Sequence, residues 1–316
     1  MHLGAVLPHI ASTLAVLAAA MLLLFALTLA IPGDPATALL GPRATPAAIA
    51  AITAEMGLDR PVPVRLWRFM IVLARGQFGT DIVSGRPIGS MIAEVLPFTL
   101  ALAGAAIALA LALGVPAGIY AAARPGGLAD RVLALGSVAL VAVPNFVVAL
   151  ALLLLFSLVL HVLPVEGAGA PGDPLDQLRH LVLPTLAVGL GWIGYVARLV
   201  RASLIEVLAQ PYIRTARAFG IGRARILWVL ALRNAAIPSL AAIGVGFGRL
   251  LGGAVFAEII FARPGLGSLI FDAIEARNYP VVQAGVFVAI LLFVAANLAV
   301  DALFLWLDPR LRMAAA

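Results

Sequence analysis

The chain reads as an all-α membrane protein with six transmembrane helices. Three observations predict this: 63% of its 316 residues are hydrophobic and only 11% charged, six apolar stretches have bilayer-crossing length, and the arginines gather between those stretches. A soluble domain has about 45–50% apolar and about 25% charged residues, so this chain's solvent is lipid. All 21 basic residues are arginine, and lysine and cysteine are absent. That excludes a P-loop lysine, a Schiff-base lysine, a thiol nucleophile, a disulfide and a cysteine metal site. A pI near 10.9 suits nucleic-acid binding, but here the arginines flank apolar runs, where they orient helices in a bilayer. Membrane lipid is the expected surrounding and no nucleic-acid partner is expected.

A span needs about 20 mainly apolar residues, and residues 10–31, 96–120, 132–160, 181–197, 235–261 and 281–307 qualify. No arginine precedes the first stretch, and its apolar run exceeds the roughly 7 to 15 residues of a signal-peptide core, so a retained helix is expected. The organisation that follows is a first span plus long loop over 1–95, a membrane core over 96–307 containing a polar loop at 198–234, and a tail at 308–316. Six spans put both termini on one side. The short loops on that side hold eleven arginines and the opposite short loops three (Arg179, Arg263 and Arg277), so both termini are expected in the cytoplasm.

The long loop at 32–95 is then external. Thr45, Pro46 and Gly57 predict a helix over 46–56, as cap, first residue and stop, and a second helix is expected over about 63–75. Its six arginines and five acids suggest a solvated cap. The Gly- and Pro-rich segment 161–180 reads as an external turn.

The polar segment 198–233 holds seven arginines and, within it, PYIRTARAFGIG at 211–222. Pro211 suits a helix start and Gly220 a helix end. Ala216 and Gly220, four apart, are expected to share a face and leave a smooth patch that another protein can approach closely, with Arg214 and Arg217 flanking it. A basic loop that only enforces topology fits the same residues, and spacing alone leaves both readings open.

Three charges lie within spans: Arg249, Glu258 and Asp301. Arg249 falls near the middle of the fifth helix, where an unpaired charge costs at least about 2.5 to 3.5 kcal/mol. It is expected in a translocation path, against another subunit, or in a structural salt bridge. Nine residues of helix put Glu258 on the opposite face and about 13 Å higher. Glu258, a second pathway candidate, and Asp301 lie near span ends, where a structural interfacial role also fits. The tracts at 101–114 and 250–257 are rich in small residues and predict close helix packing.

Enzymatic readings find no support. There is no P-loop, no HExxH and no aspartate cluster beside a span. Ser137 and Ser157 lie in spans without histidine, and all four histidines sit at or beyond span ends. A self-contained channel or ion-coupled carrier is the alternative, although it would be expected to place several ionisable groups inside its spans.

The landmarks along the chain are PGDPA (32–36), GLDRPVPVR (57–65), RGQFGTD (75–81), VPNF (143–146), LVLPTLAV (181–188), ARLVRASLIEVL (197–208), YIRTARAFGIG (212–222), LRNAAIPSL (232–240), LLGGAVFAEIIFARPGLG (250–267), YPVVQ (279–283) and NLAVDALFLWLDPRLR (297–312). In this order they resemble the B-type permease subunits of the dipeptide, oligopeptide and nickel group of bacterial ABC importers, over nearly the whole chain. The resemblance implies a type I ABC importer permease fold in the bacterial inner membrane and transport rather than enzymatic activity. It implies a second homologous permease making a heterodimer, two ATP-binding subunits, a periplasmic or lipid-anchored substrate-binding protein and a peptide-like substrate, with glutathione or a nickel chelate as alternatives. No cofactor is expected on this chain, since ATP and Mg belong to the partner ATPases.

The same resemblance makes Tyr212, Arg214, Thr215, Ala216, Arg217, Ala218 and Gly220 the ATPase-coupling loop. The wider importer pattern is Glu-Ala-Ala, three residues, then Gly. Here Arg214, Thr215 and Ala216 precede Gly220, so the glutamate and first alanine are absent. The peptide-type group often has Asp before the Tyr, Lys before the Gly and His four residues before the Asn, whereas this chain has Pro211, Phe219 and Leu230.

Overall fold

A computed structural model of the chain describes residues 15–26, 45–56, 59–81 and 83–307. Helices dominate, and among the described residues the only β pairing is a bridge between Thr80 and Pro87. In order the helices are α1 (Ala15–Ala26), α2 (Pro46–Met56), α3 (Val62–Ala74), α4 (Ile88–Ala123), α5 (Leu128–Ala142), α6 (Asn145–Leu152), α7 (Pro174–Leu208), α8 (Pro211–Ala218), α9 (Leu232–Ile260), α10 (Leu266–Glu275) and α11 (Tyr279–Leu307). A π-helical segment, Leu153–Val159, continues α6, while the turn Arg223–Arg225 and a second π-helical segment, Ile226–Ala231, lead into α9.

Three described helical stretches are long and apolar enough to cross a membrane: Ile88–Ala123, Pro174–Leu208 and Tyr279–Val300. A fourth counts if α5 and the α6 stretch, bent by 94° from each other, form one span. Expectation and structure differ instructively at this bend, because the single span read at 132–160 is broken at Val143–Pro144. A residue before proline is pushed out of the α region, and Val143 is extended at φ −81° and ψ 123°. The fourth span also runs further than expected. It begins within the anticipated external turn, where the Asp173 carboxylate accepts from the Leu175 and Asp176 N–H groups and Pro174 takes the first helical position.

Close contacts divide the chain into two compact units, residues 1–97 with 265–294, and residues 98–264 with 295–316. In the first unit, Ile88, Ile92, Leu266, Ala273, Val281 and Ala284 form one buried cluster, and Met21, Leu24 and Phe287 another. The two loop helices appear as α2 and α3, within a residue of expectation, although Gly57 lies outside the described residues. Helix α10 was not anticipated. Its Ser268 hydroxyl accepts from the Gly265 N–H at 3.0 Å, and Leu266, Leu269, Ile270 and Ala273 bury one face. Beside it Asp81 is buried, accepting from the backbone of Val83 (3.2 Å) and Ser84 (2.9 Å), from the Ser84 hydroxyl and from the Asn278 amide.

In the second unit α7 is central, packing on α5, α6 and α9. The small-residue tracts do pack closely, with Leu102, Ala103, Ala106 and Ala110 of α4 and Ala254 and Ala257 of α9 all buried in one core. Gly118 shows how tightly: an added Cβ would lie 2.6 Å from the Ala197 carbonyl oxygen of α7, so larger residues at this crossing would push the helices apart.

Candidate functional site

The polar loop after α7 folds into the helix expected from its sequence. Pro211 occupies the first turn, and the helix ends as a glycine-terminated cap requires. Gly220 takes φ +76°, its N–H donates to the Arg217 carbonyl at 3.0 Å, and the Ile221 N–H donates to the Ala216 carbonyl at 3.1 Å. That pair of bonds is the Schellman pattern, which satisfies carbonyls otherwise left open at a helix end.

Burial assigns the faces of α8. Ile213 is fully buried and Ala216 is 8% exposed, so positions three apart face the chain's own core. At roughly 100° per residue the opposite face carries Pro211, Arg214, Thr215 and Ala218, and all four are exposed. This corrects the expected smooth patch: Ala216 and Gly220 do not jointly offer an outward surface, because Ala216 is used to seat the helix. Gly220 is exposed with open space around it. Tyr212 lies on one flank, its hydroxyl accepting from the Asn234 amide at 2.6 Å, which ties α8 to the start of α9. The exposed Phe219 lies on the same flank and Arg217 on the other.

Beneath this loop, Asp130 accepts Arg201 through Nε and a terminal nitrogen at 2.8 Å, and also accepts the Gly126 N–H at 2.8 Å. A bidentate arginine pair fixes orientation as well as distance, so the α4–α5 turn is held to α7. Arg223 donates to the Ala123 carbonyl at the end of α4, a favourable place for a cation. Neither tie was read from the sequence; both join residues about 70 and 100 positions apart.

The two intramembrane pathway candidates part company. Arg249 is exposed on α9 and, among the described residues, its guanidinium makes no hydrogen bond or ion pair. Glu258 is 1% exposed and accepts from the Thr99 hydroxyl of α4 at 2.7 Å. Beyond the end of α9, buried Arg263 lies over the Phe98 ring, 5.5 Å from its centre. Nothing is described for the Asp301 side chain. Ser137 and Ser157 donate to the Ala134 and Pro164 carbonyls at 3.1 Å each.

Two family models match the chain. Residues 114–313 match the binding-protein-dependent transport system inner membrane component, and residues 4–103 match the N-terminal part of such components. A "Probable peptide ABC transporter permease protein" of Sinorhizobium fredii is 37% identical, over 97% of this chain and 98% of its own length. A "Probable D,D-dipeptide transport system permease protein" of Escherichia coli K12 is 36% identical, over 94% of each chain. A "Glutathione transport system permease protein" of Salmonella paratyphi A is 37% identical, over 89% of this chain and 90% of its own. Among solved structures, an inward-facing methionine ABC transporter matches with a TM-score of 0.57 at 16% identity, over 70% of this chain and 98% of that one. The helical architecture is thus that of a type I ABC importer permease, and the chain belongs to the family of binding-protein-dependent transport system inner membrane components.

Proposed function

We propose that this chain is one of two homologous permeases in an ATP-driven importer of peptides, forming half of the translocation path. Family membership carries with it ATPase and substrate-binding-protein partners. The finer assembly is two ATPase subunits on the cytoplasmic side, a mate permease beside this chain, and an external binding protein. ATP and Mg are used by the ATPases, and this chain binds no cofactor. Relatives named for peptides, D,D-dipeptides and glutathione support a peptide-like substrate, with a nickel chelate as the alternative.

The observation carrying the mechanism is the division of α8. Ile213 and Ala216 anchor the helix inward, leaving Pro211, Arg214, Thr215 and Ala218 exposed on a rigid, capped element. A helix so held transmits a push from an ATPase to α7, which it follows in sequence, and to α9, to which the Tyr212–Asn234 hydrogen bond ties it. Closure of the two ATPases then rocks the permease halves between inward and outward access. Arg214 supplies a fixed cation toward partner carboxylates.

The test is a tryptophan on the outward face. Ala218→Trp is expected to insert and assemble the membrane part normally, yet either to lose the ATPase or to leave its hydrolysis unresponsive to loaded binding protein. Gly220→Trp is expected to do the same with added backbone strain at a positive φ. Ala216→Trp tests something else, since a buried alanine has no room for an indole. Measured on the purified complex in lipid, unaltered coupling in both Ala218→Trp and Gly220→Trp refutes the assignment.

Orientation follows from the arginine bias, and the absence of cysteine makes it easy to probe. In intact cells, Ala48→Cys and Ala170→Cys are expected to react with an impermeant thiol reagent added outside. Ala218→Cys is not, and its external labelling would reverse the topology.

A further inference from the structure

A cavity of about 630 Å³ opens between the ends of α4 and α7 and the segment after α8. Nine of its eleven lining residues are apolar, among them Ala122, Ile205, Leu208, Ile226 and Leu227, and the other two are Arg217 and Arg223. The volume lies within the range of about 300–1,000 Å³ typical of ligand pockets.

Arg223 is committed to the Ala123 carbonyl, whereas the Arg217 guanidinium has no hydrogen bond or ion pair among the described residues. The cavity therefore offers an uncommitted cation above an apolar floor. It does so where two membrane-crossing helices end, Ala123 closing α4 and Leu208 closing α7. The apolar stretch 96–120 ends three residues short of Ala123, so the α4 rim of the cavity borders the interface of a bilayer whose apolar core that stretch spans. Basic pockets between helix ends at such an interface hold the headgroups of anionic lipids.

We propose that this cavity is a binding site for an anionic phospholipid of the phosphatidylglycerol type. Its phosphate pairs with Arg217 and its glycerol and upper acyl carbons lie against Ile205, Leu208, Ile226 and Leu227. An ATPase carboxylate fits less well. On α8, Arg217 points about 70° from the centre of the buried face and about 110° from the centre of the outward face. A soluble anion would leave the apolar walls without a partner. The site is independent of whether α8 couples to an ATPase; if it does, the lipid lies directly under the coupling element.

The experiment uses the whole importer complex in nanodiscs of mixed phosphatidylcholine and phosphatidylglycerol, followed by detergent extraction and native mass spectrometry of retained lipid. The unaltered complex is expected to retain phosphatidylglycerol over phosphatidylcholine, and added inorganic phosphate is expected not to displace it. Arg217→Gln is expected to lower that retention about five-fold, the effect of one cation at an anionic lipid surface. Ala209→Trp, which crowds the cavity from its exposed rim while leaving both arginines, is expected to lower it as well. Arg214→Gln, on the outward face, is expected not to. Equal retention of the two lipids, displacement by phosphate, or unchanged retention in both Arg217→Gln and Ala209→Trp overturns the proposal. So does loss of the ATPase in Arg217→Gln with lipid retention intact, which would make the occupant a protein carboxylate.

Discussion

Nine residues apart on one helix, Arg249 and Glu258 solve the problem of a charge in a membrane in opposite ways. Glu258 is enclosed and accepts a hydroxyl from Thr99 of α4, so its polarity is spent inside the chain's own fold. Arg249 is exposed and uncommitted among the described residues, so no described group of this chain meets its polarity. A buried, bonded charge ties helices together, whereas an exposed one in a span requires water, substrate or another subunit. The sequence offered both as pathway candidates. Both stay candidates for the path, and the geometry adds that Glu258 is buried and hydrogen-bonded between α4 and α9.

If that distinction holds, Glu258→Leu produces the largest loss of stability. It removes a buried acceptor facing Thr99, which costs about 1–3 kcal/mol. The expected outcome is a lower thermal midpoint of the solubilised complex, with the transport rate falling only as folded protein falls. A normal midpoint with altered substrate preference would place Glu258 in the path.

Arg249→Leu is expected to behave in the reverse manner. Replacing an uncommitted cation within a span removes an insertion penalty of about 2.5 to 3.5 kcal/mol, so insertion and assembly should be intact. Transport, measured with peptides bearing and lacking a free carboxylate, should change. If the variant transports every peptide at the normal rate, the arginine is merely tolerated and the contrast with Glu258 loses its functional half.

Much of this was legible in the sequence because lipid imposes a long, simple signal. Apolar runs located the helices, and Pro211 with Gly220 bounded the loop helix to within two residues of its observed Pro211–Ala218 extent. What was not legible depends on neighbours. Four-residue spacing with Gly220 predicts an outward patch at Ala216, which is instead buried. Which side of an eight-residue helix faces inward is decided by what it packs on, and Ile213 three residues earlier was the available clue. Helix α10 hid between two spans although Gly265, Ser268 and the apolar positions 266, 269, 270 and 273 carry a helix-start and periodicity signal. The Asp130–Arg201 tie joins residues 71 positions apart, beyond any local pattern.

The smallest effect tests whether a satisfied buried carboxylate outside the spans follows the same rule as Glu258. Burial alone would push the Asp81 carboxyl up. Hydrogen bonds from the Ser84 side chain, the Asn278 amide and the Ser84 and Val83 backbone outweigh burial and hold it below its ordinary value. A carboxylate depressed in the folded state contributes stability that is present above the unfolded value, about pH 3.9. That contribution is lost as pH falls through the lower folded value. Amide exchange at Val83 and Ser84, whose N–H groups donate to this carboxylate, should therefore be protected near neutral pH and lose protection in strong acid. Asp81→Asn should remove that acid-dependent step while leaving the rest of the exchange profile in place. If protection at Val83 and Ser84 in the unaltered chain does not change between neutral pH and pH values below the folded one, the charge on Asp81 is not what holds the turn. Burial and hydrogen bonding would then not explain this carboxylate as they explain Glu258.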